Sequence, residues 1–240
     1  MTLQEQNAKR WADCKVSADK GPLFEKVANR LMASKDRYQK VEKLTGVPWH
    51  VIAVIHEREA SQNWNTQLGQ GDPLNKKSTH KPKGRGPFAT WEDGAVDALT
   101  KCPPYAAANH DWSVGGTLAL LEKYNGLGYY NKGVPSPYIW AGTNQYVKGK
   151  YVADGVYDPN HVDTQLGCAG LLKFMGVFQK ATIPVGTVVA AGTVSGLATT
   201  WNGFADHWIL YTLGAAALAL AIDVGVHLYR NRKTTNVQGN

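Results

Sequence analysis

Apolar and polar positions alternate along the chain in a few clear patterns. In GPLFEKVANRLMASKDRYQKVEKLTG, residues Leu23, Val27, Leu31, Tyr38 and Val41 recur near helical spacing, so residues 1 to about 45 read as helices. Gly46 stops that pattern, and Pro48 suits the first turn of a next helix. The run VPWHVIAVI is almost wholly apolar and passes straight into HEREAS, which predicts a helix from Pro48 to about Ala60. Periodicity then disappears over residues 62–90. The segment GQGDPLNKKSTHKPKGRGP is dense in Gly, Pro, Asn, Asp and Lys and predicts a long loop. A loop of that length inside a compact domain is functional or disordered. TWEDGAVDALTK opens a helix with Thr90 as cap and Asp93 at the capping-box position. WSVGGTLALLEKYNG predicts another, ending at Gly126. An aromatic, Gly- and Pro-rich stretch follows, and VDTQLGCAGLLKFMGVF closes the pattern as an apolar helix. Strand signals are weak and no repeat is present. The expected fold class is mainly α, with one globular domain over residues 1–180.

Residues 181–240 form a hydrophobic tail. Trp208–Tyr229 has the length of a bilayer-spanning helix, with aromatic residues at both borders and RNRK just beyond. Asp223 and His227 sit near its end, where a polar group costs less than at the centre. The reading is a transmembrane helix over 208–229, with a buried core helix as the alternative. A shorter uncharged stretch, Ile183–Ala198, reads as a second span, a surface segment or a linker. The first sixteen residues carry charge but no apolar core, so no signal peptide is read there. RNRK after the span predicts a cytoplasmic C-terminus with the globular domain outside. A hairpin that also uses Ile183–Ala198 keeps both ends inside instead.

Charge and composition narrow the chemistry. The net charge is +7; the tail holds three cations and two anions, so the remaining 23 cations and 17 anions give the first 180 residues +6. A basic domain suits a polyanion: nucleic acid, an anionic membrane face or a bacterial cell wall. No basic helix or zinc-finger spacing points to nucleic acid. Cys14, Cys102 and Cys168 are too few and too far apart for a disulfide framework or a metal site. His56-Glu57 begins like HExxH, but position 60 is Ala, so that zinc motif fails. No metal and no cofactor is called for.

Glu59 is the candidate acid. It follows Ile52 and Ile55 by seven and four residues, on the same helical face. A carboxyl against an apolar wall has its charged form disfavoured, so its pKa rises and it can hold a proton near neutral pH. Glu57 points about 200° away around the helix; it reads as a surface residue or as a partner for Arg58 or His56. Asp72, in GQGDP, follows Glu59 by thirteen residues, and Asp93 lies further on. Glycosidic cleavage uses an acid on the leaving oxygen and a second carboxylate opposite. Asp72 also reads as an ordinary turn aspartate, and Asp93 as a helix cap.

VIAVIHEREAS, LGQGDPL, GRGPFATWED and LLEKYNGLGYY, in that order over residues 45–130, resemble the lysozyme-like superfamily, nearest the goose-type lysozymes and lytic transglycosylases. Arg58-Glu59-Ala60-Ser61 matches that family's Arg-Glu-Ser step, and Gly71-Asp72 its Gly-Asp. Asp93, or Glu92 beside it, matches the acidic residue that positions water. Tyr124-Asn125-Gly126 matches its Tyr-Asn-Ala-Gly. The sequence departs from the pattern where GPFATW replaces Gly-Leu-Met-Gln, where NKKSTHKPKGR is inserted, and where Asn-Gly stands for Asn-Ala-Gly. The stretch from Gly71 to Thr143 also resembles phage-encoded cell-wall lysins. The resemblance implies a lysozyme-like fold and an endolysin-like muramidase acting on the periplasmic wall from the bacterial inner membrane. Glu59 would be its acid, Asp72 with Asp93 or Glu92 would orient water, and Tyr124 and Asn125 would line the cleft. Tyr129, Tyr130, Tyr138 and Trp140 read equally as sugar platforms or as core. Lys76–Arg85 reads as a wall-facing basic loop or a solvated one. A lytic transglycosylase, a chitinase and a non-catalytic, membrane-anchored wall-binding protein are the alternatives.

Overall fold

The computed structural model describes residues 1–69, 71–80 and 82–178, which fall within one unit, Met1–Thr182. Both tail segments, 183–198 and 208–229, lie outside the described residues. Among the described residues no helix is long and apolar enough to cross a membrane.

The chain is mainly helical. Helix α1 (Leu3–Ala12) opens on a capping box between Thr2 and Glu5. The long amphipathic stretch after it divides into α2 (Gly21–Ala33) and α3 (Lys35–Thr45), broken at Ser34. On α2 the buried stripe is Phe24, Val27, Ala28 and Leu31, while Leu23 stays exposed, so the inward face is turned one position from the one the spacing predicts. Gly46 ends α3 at φ 73°, a left-handed conformation that a Cβ disfavours. Helix α4 (Trp49–Ala60) follows, with Pro48 as its N-cap rather than in its first turn.

Helix α4 is central. Val51, Ile52, Ala53, Val54 and Ile55 are all fully buried, because α2, α3, α6 (Val114–Asn125) and α9 (Cys168–Phe174) close round it. Each buried Val or Ile contributes about 1.5–3 kcal/mol, which explains a run with no polar face. Helix α5 (Trp91–Lys101) packs on α3, and α1 packs along α6. Thr90 caps α5 as read from sequence, and α6 runs from a Ser113 cap to Gly126. Two short helices, α7 (Gly128–Lys132) and α8 (Pro137–Trp140), follow.

The stretch with weak strand signals contains an antiparallel hairpin, β1 (Lys150–Ala153) and β2 (Val156–Asp158), paired Lys150 to Asp158 and Tyr151 to Tyr157. Its strands are short, and the register shifts between Tyr151 and Ala153, so strict alternation is lost. Between α4 and α5 the described residues form no helix or strand, only an isolated bridge from Thr66 to Pro73.

Candidate active site

The last turn of α4 sends four consecutive polar side chains to four different partners. His56 is fully buried among the rings of Tyr38, Trp64 and Trp91. Its Nε2 lies 3.1 Å from the Asn63 carbonyl, so that nitrogen carries the proton, and Nδ1 accepts from the Tyr38 hydroxyl at 3.1 Å. Burial drives its pKa down to about 4. Glu57 pairs with Arg30 of α2 at 2.5 Å, and not with the expected Arg58 or His56. Arg58 turns to residues about a hundred positions on: it donates to Asp163 Oδ2 at 3.1 Å and to the Leu166 carbonyl at 3.2 Å, and lies 4.7 Å from the Tyr138 ring centre.

Glu59 opens into a cleft of about 540 Å³. It is half-buried at the mouth of the apolar core. Tyr138 on α8 donates its hydroxyl to Glu59 Oε1 at 2.9 Å. Burial pushes the Glu59 carboxyl up to about 7, against the opposing pull of Tyr138 and Arg58. The cleft is walled by Asn125 and Tyr129 on one side, and by Lys150, Tyr151, Asp154 and Gly155 of the hairpin on another. Asp163 and Gln165 complete it beside Arg58. Asp163 accepts from Arg58, from Lys150 Nζ at 3.1 Å and from the Gln165 N–H at 3.1 Å. Burial alone raises its pKa, but Arg58 and these donors outweigh that and hold it below the usual carboxylate range.

The other residues singled out from sequence are dispersed. Glu59, Asn125 and Tyr129 line the cleft together; Asp72, Glu92, Asp93, Tyr124 and Trp140 are not among its lining residues. Asp72 is buried and accepts four hydrogen bonds, from the N–H and side chains of Thr79 and His80, at 3.0–3.1 Å. Those donors overcome the effect of burial and lower its pKa. Its neighbour Gly71 does abut α4: a Cβ there would lie 3.1 Å from the Glu59 carbonyl. The loop backbone therefore packs on the end of α4, while the Asp72 carboxylate turns into its own loop. Glu92 pairs with both ends of the Arg37 guanidinium, at 2.8 and 3.1 Å, which lowers its pKa. Asp93 is exposed and completes the cap with Thr90, at 3.1 Å through its N–H and 2.6 Å through its carboxylate.

Tyr124 is partly buried just outside the lining; burial first, then the Glu59 charge, raise its pKa well above 10. Tyr129 is buried and receives the Tyr151 N–H at 2.9 Å, so it supports the hairpin as well as lining the cleft. Trp140 is fully buried and is core, not a sugar platform, because α6 and α9 pack on α8. In the basic loop Lys76, Lys77 and Lys83 are exposed, while Arg85 is paired with Asp97.

Tyr138, read from sequence as a sugar platform or as core, lines the cleft as the partner of Glu59, and Lys150 and Asp163 are the site residues the sequence did not single out. One signal was available for Asp163: a buried arginine demands a carboxylate, and Arg58 follows a buried run. Among the described residues, no group of three His, Cys, Asp or Glu side chains is placed to hold a metal ion. Comparison with family models, with curated proteins and with solved structures finds no match for this chain.

Proposed function

We propose that this chain is a peptidoglycan-cleaving muramidase on a lysozyme-like fold, with Glu59 as the general acid. The bond broken is the β-1,4 link between N-acetylmuramic acid and N-acetylglucosamine. One observation carries the reading: a half-buried glutamate at the floor of an open cleft, held by Tyr138, with its pKa raised to about 7. Tyr138 donates to Oε1, which leaves Oε2 to carry the proton towards the leaving oxygen. A carboxyl that stays protonated near neutral pH is what glycosidic proton donation requires.

A lytic transglycosylase is favoured by a separate observation. The three candidate second carboxylates are engaged away from the cleft, and Asp163, inside it, is occupied by Arg58, Lys150 and the Gln165 N–H. In that reaction Glu59 works alone: it protonates the leaving oxygen, then takes a proton from the sugar's own attacking hydroxyl, which closes an anhydro ring. The tail, read from sequence, would anchor the enzyme to the membrane beneath the wall.

The test is digestion of purified peptidoglycan by wild type, Glu59→Gln and Glu57→Gln, with products read by mass spectrometry. Glu59→Gln should lose at least about 10²-fold in rate, and Glu57→Gln should stay close to wild type. An anhydro end assigns transglycosylation and a reducing end hydrolysis. Near-normal turnover by Glu59→Gln rejects the acid assignment. Wall binding without either product leaves a non-catalytic binding protein.

A further inference from the structure

Proton donation by Glu59 leaves four other charged groups in the cleft, Arg58, Lys150, Asp154 and Asp163, without a task. Asp163 lies between two cations, accepting from Arg58 through Oδ2 and from Lys150 through Oδ1, both at 3.1 Å. One carboxylate against two cations leaves a net positive charge, and burial decides where it is felt. The Arg58 side chain is 5% exposed and the Asp163 side chain 2%, whereas Lys150 is 30% exposed and lines the cleft. Arg58 is also spent on the Leu166 carbonyl and the Tyr138 face. Lys150 has three donors and gives one to Asp163, so two remain to face the cleft. Glu59 adds no opposing charge while it is protonated, which lasts to about pH 7. Asp154, the other carboxylate of the lining, is exposed at the hairpin turn, where water and salt screen it.

We propose that Lys150 is an anion-binding residue that makes the cleft select a carboxylate-bearing glycan over a neutral one. This rests on the reading of the cleft as a glycan site and adds a substrate preference to it. A single ammonium matches a singly charged carboxylate. A lone lysine meets a phosphate only as a point charge, whereas oriented phosphate binding draws on a guanidinium fork or a cluster of N–H groups, and both terminal nitrogens of the one guanidinium in the lining are taken by Asp163 and Leu166. In intact peptidoglycan the free carboxylates belong to the attached peptide; the lactyl carboxyl is held in amide linkage to that peptide and is freed when an amidase removes it.

Binding can be measured without turnover, by co-sedimentation on ice of the full chain in the Glu59→Gln background with intact peptidoglycan, amidase-stripped peptidoglycan and chitin. Lys150→Met should weaken binding to intact peptidoglycan about tenfold, the scale of one charge-assisted hydrogen bond. Lys150→Arg should restore it, and chitin binding should not change. Dependence on Lys150 confined to the intact polymer assigns a peptide carboxylate; dependence that persists on the stripped polymer shows that the lactyl carboxylate freed by the amidase is bound as well. Either supports the proposal. Equal losses on peptidoglycan and chitin, or no loss on either, overturn it. Should Lys150→Met not fold, the Glu59→Gln chain with Lys150 intact decides the matter through competition: a free dipeptide carboxylate must displace peptidoglycan, and its C-terminal amide must not. Displacement by both, or by neither, overturns it. The Glu59 assay is independent. Lys150-dependent binding with an active Glu59→Gln would remove the catalytic reading and leave this one standing.

Discussion

Glu59 costs the folded chain stability for the same reason that it suits proton donation. Its folded pKa, about 7, stands above the ordinary 4.5, so the native state holds the proton more tightly than the unfolded chain. That contribution is full below pH 4.5 and is lost as pH rises through 7. Glu59→Gln is neutral at every pH and can still accept from Tyr138. At pH 8 it should be more stable than wild type by about 1–3 kcal/mol; at pH 4 the two should melt together, as thermal unfolding at the two pH values will show. Tyr138→Phe acts in the opposite direction on the site. The Tyr138 hydroxyl lowers the Glu59 pKa, so its removal should move the alkaline limb of the pH–rate profile above its wild-type position. Glu59 itself was legible, because helical spacing from Ile52 and Ile55 places it at the end of an apolar stripe. Tyr138, 79 residues away along the chain, was not, because no local pattern ties the two together.

At the scale of elements, the α4–α5 loop shows how one residue type serves two ends. The sequence predicts a loop, and the described residues form one. What composition could not show is that its carboxylates are structural. Asp72 closes the segment onto Thr79 and His80, and Asp97 on α5 holds Arg85. Asp72→Ala removes a buried acceptor of four hydrogen bonds whose donors, on the exposed Thr79 and His80, can turn to water, so it should destabilise the chain by about 1 kcal/mol; denaturant unfolding measures this. Asp93→Ala keeps the Asp93 N–H bond to the Thr90 cap and loses an exposed contact and a first-turn negative charge, so it should cost only about 0.3–1 kcal/mol and leave the rate per folded molecule unchanged. The hairpin was illegible for a different reason. Two strands of four and three residues with a register shift carry too few alternations to stand out from a Gly- and Pro-rich stretch.

For the whole molecule, buried titratable groups of opposite sign oppose each other in acid. Burial lowers the His56 pKa from 6.5 to about 4, so its contribution to stability is present above pH 6.5 and is lost as pH falls through 4. Over the same range Glu59 gains its proton in the native state before the unfolded one, and stabilises. The two slopes partly cancel in wild type. In Glu59→Gln that cancellation is gone, so its melting temperature should fall more steeply than that of wild type between pH 6.5 and 4.5. Equal slopes in the two proteins would contradict this.

The sequence by itself determined the helical class, the bounds of α4, the starts of α5 and α6, the apolar burial of α4 and the glutamate at its end. Each of these is written in spacing over one or two helical turns, and local geometry converts spacing directly into facing. Only the tertiary structure decided the rest. It placed Tyr138 on the acid, joined Lys150 and Asp163 to Arg58 across about a hundred residues, and turned Asp72 away from the cleft into its own loop. A carboxylate looks the same in sequence whether it caps, bridges or faces a substrate; the donors the fold brings within about 3 Å settle which.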